Sequence, residues 1–175
     1  GRGLIGRADV ERVDLGRLAV EYEARANPCW PMPHLEGCLE RLTRAGLLLG
    51  IVSNAQFYTP LLLGALLGKP VEQRGFDPGL LFFSFEQGHA KPGTELCRRA
   101  AAELKRRGIG PAKVLLVGND MLNDLLPARK TGLRIALFAG DERSLRLREG
   151  DRRLEVFAPD LVLTELGQLP ECVIG

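Results

Sequence analysis

The feature that most constrains the fold of this chain is a series of short apolar runs separated by helical stretches. Four runs follow one another, and a fifth, shorter one is indicated near the C-terminal end; they lie at 47–53, 80–83, 114–117, 134–138 and 161–163. The runs are continuously apolar rather than alternating, which is typical of buried parallel strands. The sequence therefore predicts an α/β fold: a doubly wound, mostly parallel sheet with helices on both faces.

Helical spacing of apolar residues separates these runs. It predicts helices at 8–26, 34–44, 59–67, 94–107, 121–131 and 144–148. Residues 27–33 contain three prolines, which exclude a helix interior there. At 175 residues and 45% hydrophobic content, the chain is long enough for one well-buried domain.

Charge and composition exclude several classes of protein. Lys and Arg total 24 against 22 for Asp and Glu, with the signs interleaved, so no one-sided basic surface for nucleic acid is indicated. The first residues lack the apolar core of a secretory signal. The longest apolar run, 47–52, is too short to span a bilayer. We therefore expect a cytoplasmic protein that binds neither nucleic acid nor membrane.

Two other patterns carry little weight. Residues 1–6 match G-x-G-x-x-G, but no strand precedes them, so a dinucleotide site is not indicated. The four cysteines are scattered without a C-x-x-C pair, and they are expected to act as small reduced hydrophobes rather than zinc ligands: Cys29, Cys38, Cys97 and Cys172.

Polar residues at the ends of the apolar runs are the candidates for a binding site, since ligands of open parallel sheets bind beyond the carboxyl ends of the strands. The first run ends in Ser53-Asn54, whose hydroxyl and amide can donate to a phosphate oxygen. The same pair also fits a helix cap or turn. After the second run, Lys91-Pro92 places a cation in a strand-to-helix loop, although by itself this lysine also fits a solvent-exposed surface. His89 is expected to have no role.

The third run ends in an acidic cluster, Gly118-Asn-Asp-Met-Leu-Asn-Asp124. Asp120 and Asp124 are four residues apart, and two close carboxylates with an amide nearby suit Mg²⁺. An N-cap role for Asp120 is the competing interpretation.

Taken in order, these three motifs resemble those of the haloacid dehalogenase (HAD) superfamily. Val52-Ser53-Asn54 is similar to its second motif, Lys91-Pro92 to its third, and the Gly118–Asp124 cluster, which follows an apolar strand, to its fourth. The resemblance covers about residues 33–165. It implies a HAD-like core at 33–175, with residues 1–32 forming the tail of a helical cap and a linker.

The resemblance also implies a Mg²⁺-dependent phosphatase acting on a small phosphorylated metabolite through a phosphoaspartyl intermediate. Ser53 and Asn54 would hold the transferring phosphoryl group, and Lys91 would neutralise its charge. Asp124 with Asn119 or Asp120 would bind the metal. The family's first acidic ligand follows the glycine directly, where this chain has Asn119, so the choice between Asn119 and Asp120 stays open.

The family's first motif, Asp-x-Asp after an apolar strand, is the missing element. No D-x-D occurs before Ser53, and Asp9 and Asp14 lie in a charged, helix-like stretch. In the family that strand lies between the second-motif and fourth-motif strands. Three explanations stay open: an N-terminal segment outside this sequence, another copy or a partner chain completing the sheet, or a sheet closed up in a non-catalytic homologue. The last gives the rival function, a non-catalytic domain that binds a phosphorylated ligand or a protein. HAD-type dehalogenase chemistry is a third candidate on the same scaffold.

Overall fold

The computed structural model describes residues 14–174, which form seven α-helices and five strands in that range. The strands are β1 Leu49–Ser53, β2 Phe76–Phe83, β3 Leu115–Gly118, β4 Arg134–Phe138 and β5 Leu161–Leu163. The helices are α1 Leu15–Ala26, α2 Leu35–Arg44, α3 Thr59–Leu67, α4 Ser84–Gln87, α5 Glu95–Arg106, α6 Leu126–Lys130 and α7 Gln168–Ile174. The glycine pattern at 1–6 and the beginning of the helix predicted at 8–26 lie outside the described residues.

All strand pairs in the described chain are parallel, and they fall into two groups. β1 pairs with β2 in a register that places Ser53 opposite Phe83. β3 pairs with β4, and β4 pairs with β5, in the order β3-β4-β5. β1 and β3 are each an edge strand within residues 14–174, because neither has a partner on its second side.

Helices cover both faces of the β1–β2 pair because successive side chains of a strand point to opposite faces. On one face, Leu80 and Phe82 pack with the α5 residues Ala100 and Leu104. On the other face, Leu81 packs against a cluster that includes Leu39 of α2 and Leu67 of α3. The predicted fold class, a doubly wound parallel sheet, is confirmed.

Helix α5 also joins the two groups of strands. Its Cys97 is fully buried in a cluster with Ile135 and Leu137 of β4, and Val52 of β1 packs against that cluster. Val52 also packs against the α5 cluster on the β2 side. One helix face therefore holds β1 and the β3–β4–β5 sheet together, although their backbones share no ladder in the described range.

The prediction that the first four apolar runs are buried strands is wrong for two of them, β1 and β3. All four residues of β3 are only partly buried, and β1 is partly buried or exposed along its length. Strand β4, which has a partner on each side, buries its three central residues, Ile135, Ala136 and Leu137. Both strands lack a described partner on one side, which leaves their backbone groups accessible there.

The helix predictions differ from the structure in four places, one of which is the short helix α4, Ser84–Gln87, which the sequence did not predict. The stretch at 144–148 is not helical; it runs beside the loop after β3 and forms a parallel bridge between Arg146 and Asp120. The stretch at 121–131 begins as a π-helical turn, Met121–Leu125, before α6. Helix α7 was not predicted, since its seven residues carry little periodic signal. No helix within residues 14–174 combines the length and apolar character needed to cross a membrane.

Candidate active site

The carboxyl ends of β1 and β3 open onto a shallow cavity of about 360 Å³. This volume lies at the lower end of the range for small-molecule sites, roughly 300–1,000 Å³. Its lining includes all six residues predicted for the site: Ser53, Asn54, Lys91, Asn119, Asp120 and Asp124. Four further residues complete it: Asn123, Ser144, Arg146 and Arg148. The three sequence motifs therefore converge on one rim of the sheet. His89 is exposed and does not line this cavity.

Lys91 connects the two strand ends. Its ammonium group donates to the carbonyl oxygen of Val52 at 2.9 Å and forms a salt bridge with Asp124. The two side chains are only 7% and 14% exposed. A charge at that depth is stable only when it is paired and hydrogen-bonded, and both conditions are met here. The structure therefore excludes the alternative of a solvent-exposed surface lysine.

Asn54 fixes the backbone that carries this lysine. Its amide nitrogen donates to the carbonyl of Lys91 at 2.8 Å, and its amide oxygen accepts from the N–H of Lys91, also at 2.8 Å. Because the Asn54 amide pairs with both the backbone N–H and the backbone C=O of Lys91, it sets the position of that residue. The Asn54 amide, which the sequence predicted to bind phosphate, is thus used in part to hold the loop that carries Lys91.

Ser53 is the last residue of β1 and stays partly exposed on the cavity. Within residues 14–174 its hydroxyl has no hydrogen-bond partner, so the group is free to donate to a ligand. The neighbouring turn is closed by Ser84, whose hydroxyl donates to the carbonyl of Ala55 and accepts from its N–H. Ser53 is therefore a hydroxyl donor whose backbone is held by the end of β1.

Asp124 lies over the end of β3 because Gly118 has no side chain. A Cβ added to Gly118 would lie 2.5 Å from the Cβ of Asp124 and 2.8 Å from its carboxylate, closer than van der Waals contact allows. Besides the salt bridge with Lys91, the Asp124 carboxylate accepts from the backbone N–H of Asp120 at 3.1 Å. The glycine of the fourth motif thus makes room for its second carboxylate.

Asp120 is the N-cap of the π-helical turn and is 8% exposed. It accepts from the backbone N–H groups of Leu122 and Asn123, each at 3.0 Å, and from the amide of Asn123 at 2.9 Å. The guanidinium of Arg148 donates to both of its oxygens, at 2.5 to 3.2 Å. Burial raises the pKa of this carboxyl, but the hydrogen bonds from Arg148 and the two N–H groups outweigh that effect and lower the pKa below 3.8.

The oxygen donors available to a metal differ between the three candidates. Both carboxylate oxygens of Asp120 already accept hydrogen bonds, from the helix N-terminus and from Arg148. This agrees with the capping interpretation of that residue. Asn119 lines the cavity and donates through its amide nitrogen to the carbonyl of Ser144 at 2.5 Å, while its amide oxygen accepts no hydrogen bond from the described residues. No group of three or more His, Cys, Asp or Glu side chains converges within 14–174. Asp124 with Asn119 is the pair that fits Mg²⁺, which is commonly held by one or two carboxylates, waters and a substrate phosphate.

No nucleophile is evident among the described residues of the site. Both carboxylates are engaged in salt bridges. Cys97 lies beneath the cavity in the core, where burial raises the pKa of its thiol to about 11, so it stays a neutral thiol.

The segment after β4 supplies the site residues that the sequence did not reveal. Residues 144–146 run beside residues 119–121: the N–H of Arg146 donates to the carbonyl of Asn119 at 2.9 Å, and the N–H of Met121 donates to the carbonyl of Arg146 at 3.0 Å. The mixed charges of residues 141–153 are typical of a solvated surface, because an arginine-rich stretch carries no local signal of what it packs against.

Comparison with known proteins agrees with this architecture. Residues 89–169 match the family model described as HAD-hydrolase-like. A HAD phosphatase from Thermococcus onnurineus has 22% sequence identity and a TM-score of 0.65 over 92% of this chain and 65% of its own length. CbbY from Rhodobacter sphaeroides, solved with phosphate, has 23% identity and a TM-score of 0.65 over 97% of this chain and 68% of its own. L-2-haloacid dehalogenase from Xanthobacter autotrophicus has 27% identity and a TM-score of 0.62 over 93% of this chain and 68% of its own.

The chain therefore has the fold of HAD-like hydrolases, and its C-terminal half resembles their family model. It spans less than two thirds of the length of the Thermococcus phosphatase that it matches. A comparison with curated proteins finds no match.

Proposed function

We propose that this chain supplies most of the active site of a Mg²⁺-dependent HAD-type phosphatase, and that the nucleophilic aspartate enters on a strand between β1 and β3. The substrate would be a small phosphorylated metabolite. The observation that carries the proposal is the position of Lys91, which joins the end of β1 to Asp124 beside the free hydroxyl of Ser53. A single cation there serves both a phosphoryl group and an attacking carboxylate.

The unpaired edges of β1 and β3 support the proposal that a further strand inserts between them. Both edges are parallel, apolar and without a partner in the described range, and α5 holds them on the same side of the core. Unpaired N–H and C=O groups along such an edge each cost on the order of 1–3 kcal/mol when buried. A strand inserted there would satisfy both edges and end next to Ser53 and Lys91.

In the proposed reaction, a carboxylate oxygen of the inserted strand bonds to phosphorus while the ester P–O bond breaks. The leaving oxygen takes a proton from a second acid on that strand, and water then cleaves the acyl phosphate to release inorganic phosphate. Ser53 would donate to a phosphoryl oxygen and Lys91 would neutralise developing charge. Asp124 and the amide oxygen of Asn119 would hold Mg²⁺, which would place further positive charge at the phosphoryl oxygens.

The test compares residues 1–175 with the polypeptide encoded by the whole gene, using p-nitrophenyl phosphate and Mg²⁺. We expect no turnover from residues 1–175 and Mg²⁺-dependent turnover from the whole gene product. Lys91→Ala should remove the activity, whereas Lys105→Ala, which deletes the same group from an exposed position on α5, should retain it. Turnover by residues 1–175, or activity that survives Lys91→Ala, would overturn the proposal.

A second candidate is a non-catalytic domain that binds a phosphorylated ligand or a protein in the same cavity. The observation in its favour is that both carboxylates of the site are already in salt bridges, so the described residues offer phosphate donors and cations but no nucleophile. A whole gene product that binds phosphate and turns over no ester would favour this candidate.

A further inference from the structure

We infer that Arg146 makes this cavity selective for ligands with a second anionic group, a carboxylate or a second phosphate, beside the phosphoryl group. The inference deepens the proposed function and depends on it, because the first phosphoryl group is taken to lie at Ser53 and Lys91. It rests on the segment after β4, which none of the three sequence motifs includes.

The backbone of Arg146 is fixed against the loop that follows β3. The parallel bridge opposite Asp120 has two hydrogen bonds, and the amide of Asn119 adds a third to the carbonyl of Ser144. Two residues on, the Arg148–Asp120 salt bridge fastens the segment again. An arginine held this way stays at the rim, rather than sampling solvent as an arginine on an unattached loop would.

Only part of the Arg146 guanidinium donates hydrogen bonds within the described residues. Its Nη1 donates to the carbonyls of Arg143 and Leu145, at 2.7 and 2.9 Å, and these bonds orient the group. Within residues 14–174, its Nε and Nη2 have no acceptor. That edge carries two parallel N–H groups, the arrangement that binds a carboxylate or a phosphate in bidentate fashion.

Arg146 differs from the other two cations of the cavity in having no acidic partner among the described residues. Lys91 is paired with Asp124, and Arg148 is paired with Asp120. Arg146 also lines the cavity, but it forms no salt bridge with any acidic group of the described chain. A fixed, oriented and uncompensated arginine beside a phosphoryl site favours a ligand that brings a second negative group.

Three ligands that share a three-carbon chain test the inference by calorimetry with residues 1–175 and Mg²⁺: propyl phosphate, 3-phosphonooxypropanoate and propane-1,3-diyl bisphosphate. We expect at least one of the two ligands with a second anion to bind about tenfold more tightly than propyl phosphate. The tighter of the two identifies the second group. Arg146→Gln should reduce that affinity to the level of propyl phosphate and leave propyl phosphate binding unchanged.

Arg143→Gln is the matched control. Arg143 lies in the same segment, is exposed and does not line the cavity. Its backbone carbonyl accepts from the Arg146 guanidinium, and the substitution retains that carbonyl. Equal affinities for all three ligands in the wild-type chain, or equal losses in the two glutamine variants, would overturn the role of Arg146. Ser53→Ala tests the underlying phosphate site separately, because unchanged propyl phosphate binding in that variant would refute the proposed function.

Discussion

The buried salt bridge between Lys91 and Asp124 should couple the two groups of strands energetically. Lys91→Met keeps most of the side-chain volume but leaves the Asp124 carboxylate without its cation and the Val52 carbonyl without its donor. Removing one partner of a buried pair costs about 3–5 kcal/mol. Because Asp124 is 14% exposed and keeps a hydrogen bond from a backbone N–H, we expect about 2–3 kcal/mol here.

A double-mutant cycle measures the coupling directly. Asp124→Asn alone should also cost about 2–3 kcal/mol, because it leaves the ammonium group of Lys91 unpaired. The double variant, which buries no charge at this position, should cost about 3 kcal/mol rather than the sum, so the coupling energy should be about 2 kcal/mol. Urea unfolding followed by far-UV circular dichroism gives the four free energies of unfolding.

The control cycle uses the exposed pair of Arg25 and Glu21, whose side chains are 75% and 49% exposed. Its coupling energy should be close to zero, since solvent screens an exposed pair. If the cycle at Lys91 and Asp124 gave a value as small as this control, the pair would contribute no more than a surface contact. Lys91 would then not join the two strand ends energetically.

Three further predictions concern the same rim. Gly118→Ala should displace the Asp124 side chain, cost about 1–3 kcal/mol of stability in urea unfolding and weaken phosphate binding. Wild-type stability and affinity in this variant would contradict the close packing at the glycine. The lowered pKa of Asp120 should add stability above about pH 3.8, which is lost as the pH falls through the pKa of the folded state. Arg148→Gln should make this loss of stability in acid shallower, and identical pH profiles of unfolding in the two proteins would contradict the salt bridge. Asn54→Ala should weaken phosphate binding several-fold with little change in melting temperature, because its two hydrogen bonds are solvent-exposed and position the lysine loop; unchanged affinity would contradict that role.

The alternation of apolar runs with helical stretches was sufficient to predict the fold class and the approximate position of every strand. The boundaries of β4 at 134–138 and of α3 at 59–67 match their predictions. The sequence did not predict how deeply β1 and β3 are buried, because burial depends on which strands lie side by side. Apolar composition reports only a preference for burial, and a strand at an edge cannot satisfy it alone.

The site was predictable where a motif places a residue at a strand end. Ser53, Lys91 and Asp124 lie together because the carboxyl ends of parallel strands meet at one edge. Arg146 and Arg148 reach the same cavity from a loop with no periodicity, through a backbone bridge that only the tertiary structure forms. Their contribution was not visible in the sequence, since arginines in a charged stretch usually face solvent.

Titration of inorganic phosphate into residues 1–175 measures whether Ser53, Lys91 and Asp124 hold one phosphoryl group and its metal. By calorimetry, we expect phosphate to bind more tightly with Mg²⁺ than with EDTA. Ser53→Ala should weaken the binding about tenfold. Asp124→Asn should remove the effect of Mg²⁺. Phosphate affinity that is the same with and without Mg²⁺, and the same in all three proteins, would mean that these side chains form no such site.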